Sequence, residues 1–230
     1  MMQKISKFGG AMLAPVLLFA WSGIVIGICS VMKSTVIMGD MAAAGTTWYK
    51  FWSVIDNAGY VLFTQVNLLF VIGLPIGLAK KQNARACLES FALYVTLLSA
   101  MAALLNGWGD LVGIDYTGAA GSGTGMATVA GIKTLDIGMI GALIMAGITV
   151  SLHDRFFDKK LPDWLGVFQG SPFVVITGFP IVLVLAVAFF FVWPHVQHAI
   201  LSLQTIIIGS VPDTYTYFST TPEEAEQYAE

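Results

Sequence analysis

The chain has 230 residues, of which 57% are hydrophobic and only 11% charged, with a formal net charge of -3. An average soluble domain carries roughly 25% charged residues, so this composition excludes an ordinary soluble globule. The sum of the charges says little about a membrane chain, where their distribution carries the information.

Charge-free runs divide the sequence. Between Lys7 and Lys33 lie 25 residues, between Asp56 and Lys80 23, between Glu89 and Asp110 20, and between Asp163 and Asp213 49. About 20 apolar residues, rising about 1.5 Å each, cross the hydrocarbon core of a bilayer, so each run is long enough to span it. The expected fold class is an all-α integral membrane protein of about five transmembrane helices, at residues 11–31, 59–79, 87–105, 136–152 and 172–193.

The first run, with its basic start, has the outline of a secretory signal. It is too long for the 7 to 15 residues of such a core, and the first A-x-A site, Ala42 to Ala44, lies too far beyond it. It is therefore expected to be a span. Cys29 and Cys87 sit inside or beside spans far apart in sequence, which reads as packing rather than a disulfide or a metal site.

The connection after the third span, NGWGDLVGIDYTGAAGSGTGMATVAGIKTLD, is long and rich in glycine. Its GSGTG stretch at 121–125 lacks the preceding strand and the following helix that a phosphate loop needs, so a flexible or re-entrant loop is expected. The fourth span is short and carries Gly138, Gly141 and Gly147, suited to close helix approach inside a bundle. Asp136 stands at its start, where a carboxylate is favoured by the helix dipole and caps or opens the helix.

The following hairpin, SLHDRFFDKKLPDWLG, is the most charged stretch of the chain. Snorkelling cations and interfacial aromatics explain most of it as the water-facing end of two spans. Lys4, Lys7, Lys80, Lys81, Arg85, Arg155, Lys159 and Lys160 fall on one side of the five-span arrangement, and Lys33, Lys50 and Lys133 on the other. This bias places the amino terminus and the two basic loops in the cytoplasm, and Arg155→Ala is expected to disturb the hairpin's orientation more than any ligand affinity. Trp164 and Trp193, 29 residues apart, are spaced to anchor the fifth span at both interfaces.

Beyond it, His195 and His198 form an H-x-x-H pair without a third ligand, and Pro194 suggests a helix start there rather than a zinc site. Residues 199–211 are apolar but too few to span, which suggests an interfacial helix. Neither Ser151 beside His153 nor His198 beside Ser202 has an acid nearby to complete a nucleophilic site. No catalytic residue, metal site or cofactor emerges, and no nucleic-acid partner is expected. A polar, acidic tail closes the sequence.

Three stretches together carry a resemblance: KFGGAMLAPVLLFAWSGIVIGI at 7–28, FVIGLPIGLAKKQNARACL at 70–88, and AGIKTLDIGMIGALIMAGITVSLHDRFFDKKLPDWLGVFQGSPFVVI at 130–176. They resemble the membrane (IIC) domain of the bacterial phosphoenolpyruvate-dependent sugar permeases, in the glucose, maltose and α-glucoside branch. The signature falls on Asp136, His153, Arg155, Phe156, Pro162, Gly166, Gly170 and Phe173. The resemblance implies a multi-pass protein of the bacterial inner membrane, surrounded by lipid and dimeric. It also implies an α-glucoside or glucose-like sugar and a IIB partner that donates phosphate.

The resemblance covers the amino-terminal, scaffold half of such a domain, up to about Leu203, leaving 204–230 as a divergent acidic tail. The half that carries most sugar contacts is expected to be a separate partner, so this chain alone is expected not to transport. A truncated relic, a fragment, or a regulatory, dimerising subunit without transport activity are the alternatives. Two departures stand out: Pro172 in place of a basic residue, and Asp154 in place of Asn. The proline suits a helix first turn.

Overall fold

The computed structural model describes residues 2–121 and 124–208. Seven helices and one β-hairpin follow in the order α1 (Met2–Lys33), α2 (Thr35–Met38), α3 (Thr47–Thr64), α4 (Val66–Leu78), α5 (Asn83–Trp108), β1 (Met126–Val129), β2 (Ile132–Leu135), α6 (Gly138–Phe156) and α7 (Ser171–Ile208). Short 3-10 turns occupy Gly39–Ala42, Gly109–Val112 and Asp163–Phe168. The chain divides into two units, Met1–Phe190 and Phe191–Glu230.

Among the described residues four helical stretches are long and apolar enough to cross a membrane: Ser6–Lys33, Asn83–Val112, Gly138–Phe156 and Ser171–Gln197. The pair α3 and α4, bent by 58°, makes a fifth if it is one broken span. The all-α membrane class and the count of about five are thus as the sequence suggests. The second span, however, is not the continuous helix expected at 59–79. Its helical run starts at Thr47 and breaks at Gln65, whose backbone leaves the helical region (φ -104°, ψ 20°). The Gln65 side chain is committed elsewhere, its Oε1 accepting the Ala130 amide at 2.8 Å. Asp56, a charge that marks the edge of an apolar run, lies inside α3 because Lys33 of α1 neutralises it in an ion pair.

The first unit packs α1, α4, α5 and α6 together, with α3 against α1. Its core is formed by Leu93, Leu97, Leu98 and Met101 of α5, Val71 and Leu74 of α4, and Ala142, Met145 and Ala146 of α6, all fully buried. Polar side chains act as glue between helices. Ser90 Oγ donates to the Val71 carbonyl at 2.9 Å, and Thr134 Oγ1 to that of Leu98 at 3.2 Å. Outward faces are apolar: Leu17 and Trp21 of α1 are 66% and 61% exposed, a distribution suited to hydrocarbon and costly in water.

Close helix approach occurs, but not where the glycines of α6 suggest it. A Cβ added at Gly147 meets nothing within 4 Å, whereas one at Gly59 of α3 comes within 2.8 Å of Val25 of α1, and one at Gly178 of α7 within 2.7 Å of Leu93. On α6 the small buried face is made by Gly141, Ala142 and Ala146.

The connection before α6, expected as a flexible or re-entrant loop, contains a β-hairpin over Met126–Val129 and Ile132–Leu135. β1 and β2 pair antiparallel, with Met126 opposite Leu135 and Val129 opposite Ile132. Ala130 and Gly131 turn the corner, both at positive φ (51° and 78°), the backbone that a two-residue hairpin loop requires. Lys133 Nζ bonds the carbonyls of Tyr116 and Gly118, tying the preceding loop to β2. In the 121–125 stretch, Ser122 and Gly123 lie outside the described residues, and Thr124 folds back on Gly121 through its hydroxyl at 2.8 Å.

α7 runs through Pro194 to Ile208, so no new helix starts at Pro194. Neighbouring backbone and side-chain adjustments let apolar spans tolerate an internal proline. In the second unit, His195 Nδ1 lies 3.0 Å from the Phe191 carbonyl, one turn earlier, and donates to it. Residues 199–208 of the expected interfacial helix belong to α7. Residues 209–230, with most of the expected tail, and the His198 side chain lie outside the described residues.

Candidate functional site

The end of the first unit that carries residues 80–85 and 153–173 gathers its ionisable side chains. His153 stands on the last turn of α6, 1% exposed, and Glu89 on the second turn of α5, fully buried. His153 Nδ1 is 2.7 Å from Glu89 Oε2, and Nε2 is 2.8 Å from the Lys81 carbonyl. A carbonyl only accepts, so Nε2 carries a hydrogen. The proton between Nδ1 and Oε2 then belongs either to an imidazolium facing a carboxylate or to a carboxyl donating to a neutral imidazole. In both arrangements one proton is shared and the pair is neutral as a unit, the condition under which two ionisable groups tolerate burial. Glu89 Oε1 has no hydrogen-bond partner among the described residues.

Around this pair the loop and the hairpin are laced together. Asp154 Oδ1 accepts the Lys80 amide at 3.1 Å, and its Oδ2 is 3.2 Å from Lys80 Nζ. An asparagine there keeps an acceptor for the amide but loses the ion pair. Asp158 pairs with Lys81 at 2.7 Å, and that bond holds the exposed Lys81 ammonium above the ordinary lysine range. The Phe157 ring packs on the His153 imidazole, centroids 4.6 Å apart, and takes the Arg85 guanidinium at 5.6 Å. Lys80, Lys81, His153, Asp154, Phe157 and Asp158 line a cavity of about 220 Å³.

The signature residues fall into three groups. Phe156 and Phe173 meet edge to face at 6.0 Å and join the end of α6 to the start of α7. Gly170 is buried at φ 80°, with Phe157 and Arg85 beside the place of its missing side chain, so it supplies a left-handed turn that other residues resist. Pro162 precedes the 3-10 turn that contains Gly166, and Arg155 is exposed, 5.7 Å from the Phe156 ring centroid. Pro172 occupies the first turn of α7. Asp136 is far along the chain fold from these, at the other end of α6, where its Oδ1 accepts the Gly138 amide at 3.0 Å.

Glu89 was not among the residues singled out from the sequence. Its signal is a carboxylate just inside the third apolar run, which is expensive unless paired. Among the described residues no group of three or more His, Cys, Asp or Glu side chains is arranged to hold a metal ion. Cys29 and Cys87 are both free.

Residues 9–218 match the family model "Phosphotransferase system, EIIC", so the match runs on past Leu203. The chain is 47% identical over 210 residues to the PTS system maltose-specific EIICB component of Bacillus subtilis (strain 168), covering 91% of this chain and 40% of that protein. It is 49% identical over 211 residues to the PTS system alpha-glucoside-specific EIICB component of Leptotrichia buccalis, covering 91% and 39%. Against the phosphotransferase IIC component GlvC of Escherichia coli (strain K12), identity is 40% over 208 residues, covering 90% and 56%. The chain therefore spans about two fifths of the length of the two EIICB relatives. It belongs to the phosphotransferase system EIIC family, a family of membrane domains.

Proposed function

We propose that this EIIC-family chain forms the scaffold part of a phosphoenolpyruvate-dependent sugar permease that takes up an α-glucoside such as maltose. The observation that carries the reading is the match across residues 9–218 to a family whose similar members are named for maltose and α-glucosides. A scaffold role is supported by the ionisable cluster, whose acids are spent on neighbouring helices and loops rather than left open toward a substrate. Transport and phosphoryl transfer belong, in this reading, to an assembly with the remaining permease part, which makes most sugar contacts, and with a IIB domain. No catalytic role is assigned to any described residue of this chain in this reading. His153, Arg155, Phe156, Pro162, Gly166, Gly170 and Phe173 shape its cytoplasmic hairpin, and Asp136 opens α6 at the outer end.

In this reading residues 1–203 form the membrane part and 204–230 a carboxyl-terminal segment that begins within α7 and lies within the family match as far as residue 218. The protein crosses the bacterial cytoplasmic membrane several times with its amino terminus inside, as the basic bias of eight residues against three favours, and it works as a homodimer.

The test is complementation in cells lacking α-glucoside uptake, with this chain expressed alone and together with the remaining part of an α-glucoside-specific EIICB relative. Phosphoenolpyruvate-dependent uptake of labelled maltose is expected only in the second case. Uptake by the chain alone overturns the scaffold assignment. Absence of uptake from a partner mixture that nonetheless co-purifies overturns the permease assignment.

A further inference from the structure

The connector between α6 and α7 carries a surface that the buried pair does not account for. The 3-10 turn Asp163–Phe168 buries none of its residues. Trp164 is 79% exposed, Val167 88% and Phe168 45%. With about three residues per turn, positions i and i+3 eclipse, so Trp164 and Val167 stand on one edge and form an open apolar ridge.

Three cations precede it in the same connector and at the end of α6. Arg155, Lys159 and Lys160 are exposed and make no ion pair among the described residues. Arg155 and Lys159 lie against the Phe156 ring, 5.7 and 4.9 Å from its centroid. The acids nearest to them in sequence are already paired, Asp154 with Lys80 and Asp158 with Lys81, which leaves Asp163 as the unpaired acid of the connector among the described residues. α6 ends at Phe156 and α7 begins at Ser171. Both are long and apolar enough to cross a membrane, and a connector between two such spans falls at the membrane boundary, where tryptophan rings settle at headgroup depth and basic side chains meet lipid phosphates.

We propose that this face docks anionic phospholipid, with the Trp164–Val167 ridge in the boundary between headgroups and acyl chains and Arg155, Lys159 and Lys160 on the lipid phosphates. The charge is complementary, and the ridge gives the apolar footing that a purely electrostatic patch lacks. A protein partner would have to displace lipid from a ridge that two spans hold at bilayer depth. The inference rests on the membrane fold and stands apart from the sugar assignment.

The test reconstitutes the full chain in phosphatidylcholine vesicles containing a fixed fraction of phosphatidylglycerol. Bromine is placed on the acyl chains of the anionic lipid in one set and, at the same mole fraction, of phosphatidylcholine in the other. The difference between the wild type and Trp164→Phe isolates the quenching of Trp164. Stronger quenching by the brominated anionic lipid is expected. Lys159→Gln should lower that preference by up to about fivefold, the equivalent of about 1 kcal/mol per cation, and rising salt should lower it in the wild type. Equal quenching by both lipids overturns the proposal, as does a Trp164 that neither lipid quenches, the result for a ridge facing water or protein. If Lys159→Gln does not reconstitute, the salt series on the wild type decides, and a preference indifferent to salt overturns it.

Discussion

The Glu89 carboxyl on α5 and the His153 imidazole on α6 meet at 2.7 Å in the protein interior, 64 positions apart in sequence. Because His153 also donates to the Lys81 carbonyl, the pair fastens one helix to its neighbour and the α4–α5 loop to both. Removing one member of a buried pair strands the other, which typically costs about 3 kcal/mol or more. Glu89→Ala should therefore lower the thermal stability of the purified protein strongly. Glu89→Gln should be milder, because the amide donates to Nδ1 of a neutral imidazole. The double variant Glu89→Ala/His153→Ala should lose less than the sum of the two single variants in a double-mutant cycle. Additive losses would mean that the two side chains are not coupled.

Gly170 turns the chain into α7 at φ 80°, against Phe157 and Arg85. A side chain in that left-handed conformation costs about 1–2 kcal/mol. Gly170→Ala is expected to lower the unfolding temperature, while Gly166→Ala, whose added Cβ would touch only the Gln169 side chain at 3.9 Å, serves as a nearly silent control. Equal effects in the two variants would show that φ at Gly170 does not matter.

The spans were legible because runs without charge are long compared with bilayer thickness, a property of each segment alone. The break at Gln65 was not, since the partner its side chain meets there, the Ala130 amide, lies in a hairpin 65 positions away. The hairpin itself left a signal: TV and IKTL flank an Ala-Gly pair, yet a glycine-rich context masks short strands. At the candidate site, His153 and Arg155 stood out as charges in an apolar chain. Glu89 looked like the mere edge of a run, because a buried acid is recognised by its partner and the partner lies on another helix.

Asp115 accepts both the Thr117 hydroxyl, at 2.7 Å, and the Thr117 amide, at 2.8 Å, in the loop outside the spans. These bonds hold its carboxyl below the ordinary value of 3.8. A depressed folded pKa gives a contribution that is present above the unfolded value and lost as pH falls through the folded one. The loop should thus stay tied throughout mild acid and loosen only below the ordinary carboxylate range. The Thr117 amide shift in an NMR pH titration should inflect below 3.8, and Asp115→Asn should abolish the inflection. An inflection at or above the ordinary value would contradict the hydrogen-bonded turn.

Helices α1 and α3 come close where Gly59 faces Val25, and Ser22 seals the contact by donating to the Gly59 carbonyl at 2.5 Å. A Cβ at Gly59 would lie 2.8 Å from Val25 Cγ1, so Gly59→Ala should overpack the seam and cost about 1–3 kcal/mol. Shrinking the partner should relieve it: Gly59→Ala/Val25→Ala is expected to be more stable than the sum of the single effects predicts. Gly27→Ala, on the same α1 but with nothing within 4 Å of the added atom, should be neutral or slightly stabilising, since alanine is the better helix former. Thermal unfolding of the four proteins beside the wild type checks this. Rescue by Val25→Ala identifies the seam as the cause, whereas a Gly59→Ala loss that persists in the double variant would place the strain outside the α1–α3 contact.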